Sequence, residues 1–336
     1  MASSPSTDTA ATAVPTISDV REAAQRIAEA AVRTPVLESP RLSERAGCRL
    51  LLKCEIFQPM GAFKIRGAWN RIARLTDAER ARGVIAFSSG NHAQAVALTA
   101  QRFGIAATIV MPSDAPKIKI ENTISYGASI KLYDRNKEDR EAIAAVLVAE
   151  TGAVIVPPFD HPDVIAGQGT VGLEIVEQCR DLGAVPDAVA VPCSGGGLVA
   201  GCAIALRDAW PDIAVYAVEP EGFDDTARSL KSGRRERRTP NAASICDALL
   251  VDMPGALTFE INRRLLAGGL VVSDAEVREA MEAAFSCARL VVEPGGAAAL
   301  AAVLQSRLET AGKTICVVLS GGNADPELFA EAIRRS

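Results

Sequence analysis

Histidine is nearly absent from this chain, with two among 336 residues, His92 and His161. Two imidazoles cannot furnish a His-rich metal site, so that chemistry is excluded by counting. Paired cysteine motifs are missing as well. The eight cysteines (48, 54, 179, 193, 202, 246, 287 and 316) include no CxxC, and several stand in apolar runs. That is the pattern of buried thiols in a reducing cytoplasm, not of a disulfide framework. No apolar run reaches the length of a membrane span. Residues 1–16, "MASSPSTDTAATAVPT", carry neither a basic region nor an apolar block, and are expected to form a disordered tail, not a signal peptide. Positive charge does not dominate: the formal net charge of -5 argues against nucleic acid or an anionic membrane as partner.

Two nucleotide signatures are also missing. The glycine run "CSGGGLVAG" (193–201) has alanine at 200, where G-x-G-x-x-G needs glycine. The fragment "GKT" (312–314) has Arg307 where a P-loop needs its first glycine.

About half of the residues are hydrophobic, enough to bury a large core in two lobes. "SDVREAAQRIAEAAV" repeats apolar residues at 20, 24, 27 and 31, which predicts an amphipathic helix with Ser18 as its cap. "RLLLKC" (49–54) predicts a strand, and Thr76 with Glu79 has capping-box spacing. Strand-like and helical runs then alternate strictly from "VIAFSS" to "AVIVPP", and again from "AVAVPC" to "TICVVLSG". Short β-branched runs between helical runs mean βαβ units on parallel-rich sheets flanked by helices. We read an α/β chain in which a small mobile lobe (81–158) is inserted into a large one (17–80 and 159–336).

Four loops leave strand ends, where open α/β sheets bind ligands. "SSGNHAQ" (88–94) offers hydroxyls, a carboxamide and the free N–H groups of a helix start; it is either an ordinary cap or a seat for a carboxylate. "CSGGGLVAG" lets the backbone wrap an anion at a helix N-terminus, which favours a phosphate over a mere turn. "VEPEGFDD" (218–225) groups carboxylates that suit a hard cation, or form an exposed acidic turn. In "LSGGN" (319–323), Ser320 ends an apolar strand. A fifth feature precedes them: in "QPMGAFKIRGA" (58–68), Lys64 falls in the first turn of a helix, where the dipole disfavours positive charge.

In order along the chain stand "GAFKIRGA", "SSGNHAQ", "SGGGL", "VEPEGFDD" and "LSGGN". Over nearly its whole length the chain resembles the pyridoxal-phosphate (PLP) enzymes of fold type II, the tryptophan-synthase β-like fold. Within them it is similar to the serine/threonine dehydratases and eukaryotic-type serine racemases. The resemblance implies that Lys64 carries PLP as a Schiff base beside Phe63, and that Asn91 bonds the cofactor's ring oxygen. It further implies that Ser194, Gly195, Gly196 and Gly197 cradle the phosphate and that Ser320 faces the pyridine nitrogen. Substrate would be held by Ser88, Ser89, Gly90, Asn91, His92 and Arg140. The acidic turn would hold Mg2+, Ca2+, Mn2+ or K+ through Glu219, Asp225 and the carbonyl of Phe223. The implied activity is the dehydration and deamination of a β-hydroxy amino acid, L-serine or L-threonine by default, to a 2-oxo acid and ammonia. The enzyme would be a cytoplasmic homodimer whose partner is this small substrate.

Departures from the family wording narrow the choice. Ser89 is a serine, as in the racemases, where it would act on the opposite face of Cα from the lysine, so Ser89 makes a racemase side-activity chemically accessible. Ala62 replaces the usual serine, a form also found among hydroxyaspartate dehydratases and fungal serine racemases. The chain runs only a short way past "LSGGN", so no regulatory domain is expected. "SICDALLVDMPG" (244–255) is apolar where relatives are polar. If Ala248 to Val251 face the ligand, threonine or phenylserine fits; hydroxyaspartate would want a cation, for which Arg140 is the candidate unless it lies on a solvated helix face. A Rossmann-type oxidoreductase would explain the alternation but leaves the lysine motif and "SGGN" unexplained.

Overall fold

The computed structural model describes residues 13–88, 90–115, 117–134 and 137–334. In chain order the strands are β1 (Val36–Glu38), β2 (Arg49–Cys54), β3 (Val84–Phe87), β4 (Ala107–Pro112) and β5 (Ser129–Tyr133), then β6 (Val154–Ile155), β7 (Ala188–Pro192), β8 (Ala214–Pro220), β9 (Gly268–Val272) and β10 (Thr314–Leu319). The first helices are α1 (Ile17–Arg26), α2 (Pro40–Ala46), α3 (Lys64–Ala73), α4 (Asp77–Arg82), α5 (Asn91–Phe103), α6 (Lys117–Ser125) and α7 (Arg140–Thr151). They are followed by α8 (Pro162–Asp181), α9 (Gly197–Ala209), α10 (Asp225–Ser232), α11 (Ala256–Leu265), α12 (Asp274–Ala288), α13 (Pro294–Leu304) and α14 (Pro326–Ile333).

Two sheets result. The larger runs β1-β2-β10-β7-β8-β9, parallel except for the β1–β2 pair; the smaller runs β5-β4-β3-β6, all parallel. Helices cover both faces, which is why β7 and β10 read as unbroken apolar runs instead of alternating. On one face of the large sheet, Met281, Leu300 and Val303 pack over Leu50 and Val317; on the other, Ile175 and Leu206 pack over Val189 and Val318. In the small sheet, Ile109 and Val84 face Ile72 and Val96, while Ile85 and Val110 face Ala144.

The first helix corrects the sequence reading. Its cap is Thr16, not Ser18: Thr16 Oγ1 accepts the Asp19 N–H while the Asp19 carboxylate accepts the Thr16 N–H, a closed capping box. Thr16 and buried Pro15 beside it thus belong to the fold, and residues 1–12 of the expected tail lie outside the described residues.

Helix α3 matters most, because Lys64 opens it. The helix is anchored by Arg66, a fully buried arginine. Its guanidinium donates to both oxygens of Glu55 at 2.7 and 2.8 Å, and to both oxygens of Glu174 on α8 at 2.7 and 2.8 Å. Lys53 Nζ donates to Glu174 at 2.5 Å, and Thr34 Oγ1 donates to Glu55 at 2.5 Å. Two cations thus meet two carboxylates, so no net charge is left in the interior. Removing one partner of such a set strands a buried charge. Arg66→Ala is expected to lower unfolding free energy by about 3–5 kcal/mol, whereas Arg33→Ala, which breaks a half-exposed pair with Glu177, should lose about 1 kcal/mol or less. Urea denaturation of the two variants checks this.

Candidate active site

The site is assembled by a pairing between the two ends of the chain. Residues 61–63 lie against 320–322: Ala62 and Gly321 form an antiparallel bridge, the Phe63 N–H donates to the Ser320 carbonyl (3.1 Å), and the Gly322 N–H donates to the Gly61 carbonyl (2.8 Å). This brings the start of α3 to the carboxyl end of β10. The space there is a cavity of about 290 Å³ lined by Lys64, Phe63, Ser88, Gly90, Asn91, His92, Arg140, Ser194 to Gly197 and Ser320. The residues singled out in four separate motifs share one chamber. Ser89 lies outside the described residues.

Lys64 is the first residue of α3, and its Nζ donates to the Pro158 carbonyl at 2.8 Å. Burial by the cavity wall lowers its ammonium pKa to about 8. The positive end of the helix works in the same direction. His92 is buried, and desolvation with the nearby Lys64 charge lowers its pKa to about 3. It is therefore a neutral ring donating its Nε2 proton to the Val156 carbonyl (2.8 Å).

Two helix starts open on the chamber. Helix α5 begins at Asn91 with Gly90 as its cap residue, and Ser88 Oγ accepts the Gly90 N–H (3.2 Å). The first-turn N–H groups of such a helix have no intrahelical acceptor. Helix α9 begins at Gly197, after Gly196 with φ 93°, a left-handed conformation that favours glycine. The carbonyls of this loop are tied away from the chamber: Thr258 Oγ1 donates to the Gly195 carbonyl (2.6 Å) and Asn262 Nδ2 to the Gly196 carbonyl (3.4 Å). Phe159 packs so closely under Gly195 that no side chain fits there. With its carbonyls engaged behind, the loop is left with N–H groups and a helix dipole toward the cavity, a phosphate cradle by chemistry. Together with a lysine that sheds its proton readily, this donor set fits PLP.

The remaining walls answer two open readings. Arg140 is not part of a solvated helix face: Asp139 caps α7, Arg140 is its first residue, and the guanidinium lies 5.3 Å from the centroid of the Phe87 ring at the cavity. Ala248 to Val251 also line the cavity. The acidic turn stands apart from the chamber. Glu219 and Asp225 are fully buried. Glu219 accepts the N–H groups of Thr226 and Ala227 at 2.9 and 2.8 Å, whereas neither Asp225 oxygen has a partner. Burial, with Asp225 next, raises the Glu219 carboxyl well above its usual range. Among the described residues no cluster of three or more His, Cys, Asp or Glu could hold a metal.

Several residues escaped the sequence reading. Pro158 receives Lys64, Phe159 supports the glycine loop, and Asp160 accepts the N–H groups of Ala256, Leu257 and Thr258 at 2.8–3.1 Å, fixing the start of α11. Glu293 lines the chamber and accepts from Asn91 Nδ2 at 2.6 Å. None of these belongs to a local pattern; only the end of an apolar strand run at "AVIVPP" hinted that a loop follows.

A lysine of pKa about 8 is about one-tenth neutral at pH 7, against roughly one part in three thousand for an ordinary lysine. In cofactor-free protein at pH 7, reductive methylation with formaldehyde should therefore modify Lys64 first among the lysines. Its rate should rise through about pH 8 and then level. Peptide mass mapping across pH 6–10 checks this.

Comparison with known proteins agrees with the geometry. The family model described as "Pyridoxal-phosphate dependent enzyme" matches residues 27–321. The chain is 44% identical to the L-threo-3-hydroxyaspartate ammonia-lyase of Saccharomyces cerevisiae, over 95% of this chain and 97% of that one. It is 41% identical to the serine racemase of Schizosaccharomyces pombe, over 94% and 97%. Among solved structures, maize serine racemase superposes with a TM-score of 0.89 at 40% identity, covering 96% of this chain and 97% of that one. With the lysine, the glycine loop and the two-sheet fold all in their places, the chain belongs to the pyridoxal-phosphate dependent enzymes of fold type II.

Proposed function

We propose that the protein eliminates water from a β-hydroxy amino acid and that hydrolysis of the resulting enamine takes that water back and releases ammonia, giving a 2-oxo acid. The observation that carries this reading is a neutral-prone Lys64 in one chamber with two helix N-termini, one suited to a carboxylate and one to a phosphate. PLP, when bound, supplies an aldehyde that takes up an amine and a ring that draws electrons from Cα. The loop 194–197 would hold its phosphate and Asn91 its ring oxygen. Ser320 would meet its pyridine nitrogen with a neutral hydroxyl instead of a carboxylate. The substrate carboxylate is suited to the α5 start, from Ser88 to His92. Neutral His92 adds no charge there. Lys64 Nζ, with its amine free, would take the proton from Cα, and the β-hydroxyl would leave with a proton as water.

The apolar wall of Ala248 to Val251 favours threonine, which buries its methyl group, or phenylserine over serine. A second reading rests on Arg140, whose guanidinium can bind a second carboxylate in two-point fashion; 3-hydroxyaspartate has one. The relative named for that substrate supports this reading, as the racemase supports a side-activity through Ser89. A panel of L- and D-serine, L-threonine, phenylserine and 3-hydroxyaspartate, scored for oxo-acid release and chirality, separates them. If 3-hydroxyaspartate is the substrate, Arg140→Ala should lower kcat/KM for it about 10- to 100-fold and leave L-threonine nearly unchanged. Absence of oxo acid from every substrate overturns the proposal.

A cation at the acidic turn belongs to the same reading. The unpartnered oxygens of buried Asp225 beside Glu219 suit a hard ion, with carbonyls such as that of Phe223 and water completing its shell. Mg2+ or Ca2+ should then raise the Tm of wild type, chelation should lower it, and Asp225→Asn should abolish the response. The family likeness also supports a cytoplasmic homodimer, and sedimentation measures its mass.

A further inference from the structure

Glu293 has no role in the reading above, yet it is built into the chamber wall. It is 1% exposed and stands at the start of α13 without capping it. Its Oε1 accepts from Asn91 Nδ2 at 2.6 Å, and its Oε2 is buried without a partner. The second residue of "SGGN" is glycine because this carboxyl occupies the place a Gly321 side chain would take.

The bonds around it form an ordered chain. The Met60 carbonyl can only accept, so the side-chain atom of Asn323 facing it must be nitrogen (2.9 Å). The same Nδ2 donates to Asn91 Oδ1 at 2.8 Å. Asn91 therefore turns its oxygen to Asn323 and its NH2 to Glu293, and one of the two amide hydrogens is left over. A backbone carbonyl at one end and Glu293 at the other decide that Asn91 offers the chamber a donor and not an acceptor.

Resting on the PLP reading, we propose that Glu293 is a positioning residue that fixes Asn91 as a hydrogen-bond donor to the cofactor, and that the bound cofactor senses the proton Glu293 carries. The groups that bear on its charge come from three elements. Asp247, on the turn 247–249, disfavours its ionisation, while Lys119 on α6, paired to that aspartate, and Asn91 on α5 favour it. Burial is the largest influence, and the carboxyl is pushed up to about 7. Above that pH Glu293 becomes an anion at the chamber wall; below it, Oε2 holds a proton and Oε1 still accepts from Asn91. The hydrogen-bond chain survives in both states, and only the charge changes.

The test uses the PLP-loaded enzyme and reads its visible absorbance against pH and its cofactor dissociation constant. Wild type is expected to show a spectral inflection near pH 7. Glu293→Gln, which keeps an acceptor but cannot ionise, should lose that inflection while its dissociation constant changes less than about threefold. Glu293→Ala should weaken PLP binding about tenfold, because Asn91 is no longer held. An inflection that persists in Glu293→Gln, or wild-type affinity in Glu293→Ala, overturns the proposal. Should Glu293→Ala not fold, Asn323→Asp replaces it: aspartate cannot donate to both Met60 and Asn91, so the same loss of affinity is expected, and its absence is equally decisive. A wild-type protein that takes up no PLP at all overturns the functional reading, a separate failure from either of these.

Discussion

The short antiparallel pairing of residues 61–63 with 320–322 is the contact on which the site depends. It joins segments at opposite ends of the chain, and it sets where α3 begins. From there the helix can run only one way, with Lys64 at its first position and Arg66 on its buried side. The Arg66 set holds the helix from behind while the bridge holds it in front. Lys64 is thereby denied both the solvent and the negative end of a dipole that an ammonium would seek. Its readiness to give up a proton is a property of how the helix is mounted.

Charge is handled in two ways on the two sides of α3. Behind it, Arg66, Lys53, Glu55 and Glu174 are matched in number and fully hydrogen-bonded. Such a set is inert, and it specifies a fit more than it adds stability. In front, and at the acidic turn, polar atoms are left incomplete: Glu293 Oε2 and both oxygens of Asp225. Buried groups without partners are destabilising unless something else completes them. The ligands proposed for the chamber and the acidic turn would complete them.

The sequence made much of this legible, for a definite reason. Ligand-facing loops of a parallel sheet sit at strand ends, so "SSGNHAQ", "SGGGL" and "LSGGN" were found wherever a β-branched run met a polar, glycine-bearing break. What stayed hidden is what is not local. Thr258, Asn262, Asp160 and Glu293 are ordinary residues whose work is to bond another segment, and nothing in their neighbours betrays it. Strands β1 and β9 carry no alternation, being three residues long or opening on two glycines. At α1 Ser18 is the hydroxyl nearest the apolar run, whereas the i+3 partner Asp19 belongs to Thr16. For Arg140 a substrate cation and a solvated helix face both stand open in the sequence, because "NKEDRE" is nearly all charged; Asp139 breaks it by capping.

Pro158, Phe159 and Asp160 follow one another where the chain leaves the small sheet for α8. One of them receives the lysine, the next props the glycine loop, and the third fixes α11, whose Thr258 steadies that same loop. Three consecutive residues cannot move independently by much more than a bond rotation. The placement of Lys64 and that of the glycine loop are thus coupled through the crossing segment. A displacement of this segment would reach Lys64 and the glycine loop together.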